Sequence, residues 1–164
     1  SFKLSSLNDL INLKIIGKSD EPIQITTCAD CGNTLSFINC KNILIENIEA
    51  GHLPRNKDFC TGGVFSFSSC NDITINSCIM FGSGNWGLMT SEVSNLYCNN
   101  STIENCNMLI MDISNSNLIN FNNCTFKNNT GWNAIDLTSS LYVYFNNCIF
   151  KGNDFKNVFI SARR

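Results

Sequence analysis

Asp112 and Asp136 lie 24 residues apart, each framed by apolar neighbours, in Met111-Asp112-Ile113 and Ile135-Asp136-Leu137. On a strand, a residue framed this way points away from its neighbours, so both carboxylates fall on one outer face if the two segments stack. Two carboxylates held together can share a proton or a cation. A pair with separated pKa values is the minimum equipment for hydrolysing a glycosidic bond, which makes Asp112 and Asp136 the candidate catalytic residues. Trp86 and Trp132 stand shortly before Met89 and Asp136, and with Met89 and Glu92 they form the candidate ligand-binding set. The plainer reading of each is structural: a carboxylate on a solvated strand, a tryptophan covering the end of a core.

The remaining reactive residue types assemble nothing comparable. Cys28-Ala29-Asp30-Cys31 and Cys60 fall in loops, but a zinc site needs a second ligand pair at matching spacing, so no metal is expected. Inert thiols and a loop disulfide both remain open for Cys28, Cys31 and Cys60. The lone His52, in Gly51-His52-Leu53-Pro54, has no placed partner and reads as a solvated loop side chain. Gly82-Ser83-Gly84-Asn85-Trp86-Gly87 opens a strand rather than a helix and lacks the Lys-Ser/Thr ending of a phosphate loop. Sequons at Asn99, Asn100, Asn123 and Asn128 carry little weight in a chain this rich in Asn, Ser and Thr. No cofactor is called for.

Which elements could position the acidic pair follows from composition and period. The 164 residues fit one domain, 1–164, and the 43% apolar and 15% charged content exclude a charge-driven disordered chain. A net charge of -2 gives no footprint for nucleic acid and no polybasic anchor, and no apolar run is long enough to insert in a membrane. Ser1-Phe2-Lys3 carries neither an initiator Met nor a signal core, so the chain reads as a piece of a longer protein.

The 27 Asn among many Ile, Phe and Val point to short strands punctuated by tight turns. That punctuation is periodic. Ile15, Ile45, Ile75, Cys98, Phe121 and Phe145 occupy one repeated station, at intervals of 30, 30, 23, 23 and 24 residues, and such periods mean a solenoid. Apolar residues two apart, as at 65/67, 73/75 and 78/80, give three short strands per coil and about six coils. A leucine-rich repeat also fits part of the pattern. It needs a helix or comparable convex segment in every repeat, however, where this chain has turn sequences such as Lys127-Asn128-Asn129-Thr130-Gly131. Cys40 and Cys70 share one inward corner, with Val93, Ser116 and Ser140 in later coils, and Cys78, Cys124 and Cys148 share another; small size is expected to be what these corners select.

Two residues after the marker read Glu46-Asn47, Asn76-Ser77, Asn99-Asn100, Asn122-Asn123 and Asn146-Asn147. Stacked at one corner, such amides can hydrogen-bond along the axis. On this corner and these strands the chain resembles the right-handed parallel β-helix of the pectin-lyase-like superfamily. The resemblance implies an all-β solenoid with a ligand groove over the first strand of each coil, whose outward residues here are Ser36, Ser66, Met89, Asp112 and Asp136. It does not bring an enzyme's full set. The Arg or Lys base of pectate lyases is missing from the coils of Asp112 and Asp136, since the only arginines are Arg55, Arg163 and Arg164, and no Asp-Asp pair or Gly-His-Gly triplet occurs. The expectation is therefore a non-catalytic module of a larger exported or surface protein, extracellular or at the cell surface. Its partner would be a polysaccharide or surface protein, with neighbouring domains or subunits over the solenoid ends. The alternative is a polysaccharide hydrolase or lyase acting through Asp112 and Asp136.

Overall fold

Strands of alternating apolar and polar residues, broken every few positions by a residue suited to positive φ, wind into coils that bury one side chain in two. The computed structural model describes residues 6–18, 20–28, 32–53 and 62–164. Every described element is a strand, and every strand pairing is parallel, so nothing supplies the convex segment of a leucine-rich repeat.

Three sheets form the faces. Sheet 1 stacks Leu7–Asn8, Leu35–Ile38, Phe65–Ser68, Trp86–Ser91, Leu109–Ser114, Ile135–Thr138 and Ile160–Arg163. Sheet 2 stacks Lys14–Ile16, Lys41–Glu46, Asn71–Asn76, Ser94–Asn99, Asn117–Asn122 and Leu141–Asn146. Sheet 3 stacks Ile23–Cys28, Ile48–Leu53, Ile79–Phe81, Thr102–Glu104, Thr125–Lys127 and Ile149–Lys151. A small pair, Thr130–Gly131 with Asp154–Phe155, follows sheet 3 in the last coils. The marker station is in register throughout: Ile15 over Ile45, Ile75, Cys98, Phe121 and Phe145.

The core is a column of like residues. Phe37 and Phe67 stack with ring centres 4.9 Å apart, Phe121 and Phe145 at 5.0 Å, and Phe126 and Phe150 at 4.6 Å. These separations match the inter-strand spacing of ~4.8 Å, so each ring meets its counterpart one coil away without leaving register.

The corners explain both unusual residue types. All nineteen described non-glycine residues with positive φ fall into four rows, and eleven of them are Asn, which tolerates this region best. One row, between sheets 1 and 2, is Asp9, Asn39, Ser69, Glu92, Asn115 and Ser139. The next, at the entry to sheet 2, is Asn12, Asn42, Asp72, Asn95, Leu118 and Tyr142. Between sheets 2 and 3 come Asn47, Ser77, Asn100, Asn123 and Asn147, and after sheet 3 come Asn105 and Asn128 with Gly82 and Gly152.

Cysteine, serine or asparagine follows most members of three of these rows, Leu10, Ile48 and Val93 being the exceptions, and turns inward to hold the coils together. The Cys40 N–H donates to Cys70 Sγ at 3.3 Å, Val93 N–H to Ser116 Oγ at 3.1 Å, and Ser116 N–H to Ser140 Oγ at 3.1 Å. At the second corner Cys78 N–H donates to Ser101 Oγ at 3.0 Å; at the third Cys106 N–H donates to Asn129 Oδ1 at 3.0 Å, and Asn129 N–H to Asn153 Oδ1 at 2.9 Å. The same side chains donate in turn to carbonyls, as Cys70 Sγ does to Ser68 O at 3.2 Å and Ser116 Oγ to Ser114 O at 2.7 Å. Burial pushes the Cys78 thiol up to about 11, which keeps it protonated and able to donate. At most of these stations the side chain therefore both accepts and donates, which small size alone does not describe.

The amide ladder runs through the first residue of each pair. Asn76 Nδ2 donates to Glu46 at 3.2 Å, Asn99 to Asn76, Asn122 to Asn99 and Asn146 to Asn122, each of the last three at 2.8 Å. The second residue of each pair supplies the positive φ, and Asn123 adds a bond to Asn100 at 3.4 Å while Asn47 Nδ2 donates to Lys18 O.

Candidate functional site

Sheet 1 aligns the outward row as its alternation requires: Ser36, Ser66, Met89, Asp112, Asp136 and then Ser161 stand in register on consecutive strands. The row is less open than a solvated strand. Ser66 is buried and donates to Met89 Sδ at 3.7 Å, while Met89, Asp112 and Asp136 are half-buried. Burial raises the Asp112 carboxyl above its usual range, and the neighbouring Asp136 charge adds to the rise.

Asn133 fixes the second carboxylate, its Nδ2 donating to Asp136 Oδ1 at 2.8 Å. Asn33 does the same for Ser36 at 3.0 Å, while its Oδ1 accepts from Gly63 N–H at 2.8 Å. Sequence reasoning missed Asn133. The signal was present in Asn33-x-x-Ser36 and Asn133-x-x-Asp136, an Asn three residues ahead of the outward position in two coils.

The two tryptophans occupy neighbouring stations rather than equal ones. Trp86 begins its strand, pairing with Leu109, and its ring lies against Gly63, where a Cβ would come within 2.1 Å of Nε1. Its Nε1 is buried, with no hydrogen-bond partner among the described residues. Trp132 is 60% exposed, with Lys156 Nζ 5.5 Å from the ring centre, and it lines a cleft of about 270 Å³ with Met108, Gly131 and Asp154. Glu92 lies at the far corner of sheet 1, in a positive-φ row, accepting from Ser69 Oγ at 2.8 Å. The structure thus brings Met89, Asp112 and Asp136 into one row, puts Trp86 and Asn133 at its edge, and leaves Glu92 apart. Arg163 stands in the following coil, paired with Thr138 and diagonal to Asp136.

Two expectations are corrected. His52 is not a solvated loop residue: it belongs to the strand Ile48–Leu53, is fully buried, and its Nε2–H donates to Gly63 O at 3.0 Å. Burial lowers its pKa from 6.5, with the Gly63 bond opposing. Cys28 ends the strand Ile23–Cys28 and is disulfide-bonded, whereas the other seven described cysteines are reduced. Asp30, Cys31, Arg55 and Cys60 lie outside the described residues. Among the described residues no three His, Cys, Asp or Glu side chains gather as metal ligands would, and no helix is long and apolar enough to cross a membrane.

With this geometry in place, comparison with known proteins adds the following. The family model described as "Right handed beta helix region" matches residues 10–164. Among solved structures, the chain is similar to a candidate glycosyl hydrolase from Parabacteroides merdae, with a TM-score of 0.69 at 14% identity, covering 89% of this chain and 75% of that one. At that identity the likeness shows a shared fold alone. QnrB1, a plasmid-mediated fluoroquinolone resistance protein, matches at 10% identity over 87% of this chain and 91% of that one, with a TM-score of 0.19, too low to carry an argument. No curated protein matches.

Proposed function

The chain belongs to the right-handed β-helix family, and on that footing we propose that it is a non-catalytic module of a larger exported or surface-displayed protein, a rigid rod whose sheet 1 face binds a glycan. The observation that carries this reading is the outward row, where Asp112 and Asp136 stand side by side, Asn133 holds Asp136, and an exposed Trp132 lies close by in sequence. Carboxylates accept from sugar hydroxyls, and an exposed indole offers a flat face for a sugar ring. Both carboxylates leave adjacent strands in the same direction, so they approach a ligand from one side, whereas glycosidases flank the scissile bond with theirs. The disulfide at Cys28 favours an oxidising compartment, and hence export.

One observation favours the second reading, a polysaccharide hydrolase or lyase. The Asp112 carboxyl, raised by burial and by the neighbouring Asp136, is what a general acid beside a second carboxylate needs. A panel of neutral and acidic glycans, followed for both binding and product, separates the two. Saturable binding without product, weakened by Trp132→Ala and Asp136→Asn, is expected; turnover that Asp136→Asn abolishes would overturn the binding-module reading.

A further inference from the structure

Sheet 2 carries a second surface, remote in character from the acidic row. Its three C-terminal strands, Ser94–Asn99, Asn117–Asn122 and Leu141–Asn146, contain no charged residue, although the equivalent strands before them hold Lys14, Lys41, Glu46 and Asp72. All three tyrosines of the chain, Tyr97, Tyr142 and Tyr144, lie there and are exposed. Tyr97, Asn120 and Tyr144 are in register on consecutive strands, so the two rings stand two coils apart, ~9.6 Å, with an amide between them.

The backbone supplies an independent observation. In the positive-φ row at the entry to sheet 2, the earlier coils use Asn12, Asn42, Asp72 and Asn95, residues that tolerate the conformation. The last two coils place Leu118 at φ 57° and Tyr142 at φ 55°. Bulky side chains are strained in this region, and both are exposed, so they gain little from burial. Asn would hold the turn with less strain. The strain is retained where it puts an apolar and an aromatic side chain on the uncharged face.

We propose that this face binds an extended, neutral, β-linked polysaccharide running along the solenoid axis. Charge complementarity selects the ligand: a face without charge offers nothing to a polyanion or polycation, and burying it beneath a neutral chain strands no ion. Tyrosine offers a ring face to the apolar side of a sugar and a hydroxyl to its rim. The coil spacing is about the rise of one sugar ring, so alternate rings fall on Tyr97 and Tyr144 while the intervening one meets Asn120. The acidic row of sheet 1 plays no part in this site.

Calorimetric titration of the protein with cellohexaose, and with hexagalacturonate as the acidic counterpart, tests the proposal. Cellohexaose is expected to bind and hexagalacturonate not. Tyr97→Ala and Tyr144→Ala should each weaken binding about tenfold, and Tyr97→Phe should largely keep it. Leu118→Asn should raise the melting temperature while weakening binding, a combination that a purely structural role would not produce. Absence of saturable cellohexaose binding would overturn the proposal. So would binding that survives the double tyrosine variant, or concentration-dependent self-association that the double variant abolishes, since the face would then be an interface between copies. Loss of cellohexaose binding through Asp136→Asn would instead assign the ligand to sheet 1.

Discussion

Ser116 is buried at the first corner, where its Oγ accepts from Val93 N–H at 3.1 Å and donates to Ser114 O at 2.7 Å. Ser116→Ala leaves the Val93 N–H with no acceptor in a dry corner, a loss of ~1–3 kcal/mol. The Ser114 carbonyl still accepts from Glu92 N–H at 3.1 Å, so it adds little. For a chain of this length each kcal/mol moves the melting temperature by roughly 2–4 °C, which predicts a fall of roughly 2–12 °C for the alanine variant. Ser116→Cys should stay within about 0.5 kcal/mol of the parent, because Cys70 already does this work two coils away. Ser116→Val, which matches Val93 in shape but cannot accept, should fall with alanine. Urea denaturation followed by far-UV circular dichroism, with unchanged slope m, reads all three. If valine matched the parent while cysteine failed, or if alanine were silent, packing volume and not hydrogen bonding would govern the corners.

The converse substitution is Val93→Cys, which would give Cys70 N–H the acceptor that Cys70 gives Cys40; the denaturation midpoint should rise. His52 has its folded pKa lowered by burial, so its contribution to stability is present above 6.5 and is lost as pH falls through the folded value; His52→Gln should flatten that fall in a pH series of urea midpoints. Asp112 works in the opposite sense. Its folded pKa is raised above 3.8, first by burial and then by Asp136, so the charged form opposes folding at neutral pH. Asp112→Asn should raise the melting temperature at pH 7, and the advantage should disappear below the usual carboxylate range.

How much could be read beforehand divides along physical lines. Register was legible because alternation is rigid: Ile75 cannot slip one residue against Cys98 without turning a core side chain to solvent. The outward alignment of Asp112 with Asp136 followed from the same constraint. His52 was misplaced because Pro54 two residues on suggested a loop, while the strand Ile48–Leu53 runs longer than its later counterparts and carries the ring inside. The corner cysteines were correctly turned inward, but the hydrogen bond that Cys70 accepts from the preceding coil's N–H depends on geometry that composition does not carry. The entry row of sheet 2 was invisible for a related cause: Leu118 and Tyr142 are residues no turn rule would nominate for positive φ.

The amide ladder also has a polarity. Every Asn in it donates toward the amino-terminal coil, from Asn146 back to Asn76, and Glu46, whose carboxylate offers only lone pairs, closes the series. Asn146 Oδ1 is the lone acceptor still offered in the other direction. A rung added above it must bring an N–H or O–H at that station, whereas Glu46 can pass no amide proton onward to a rung below. The column therefore grows in one sense only, like a zip with its stop at the bottom, and a designer wishing to lengthen the rod would splice new asparagine-bearing turns beyond Asn146.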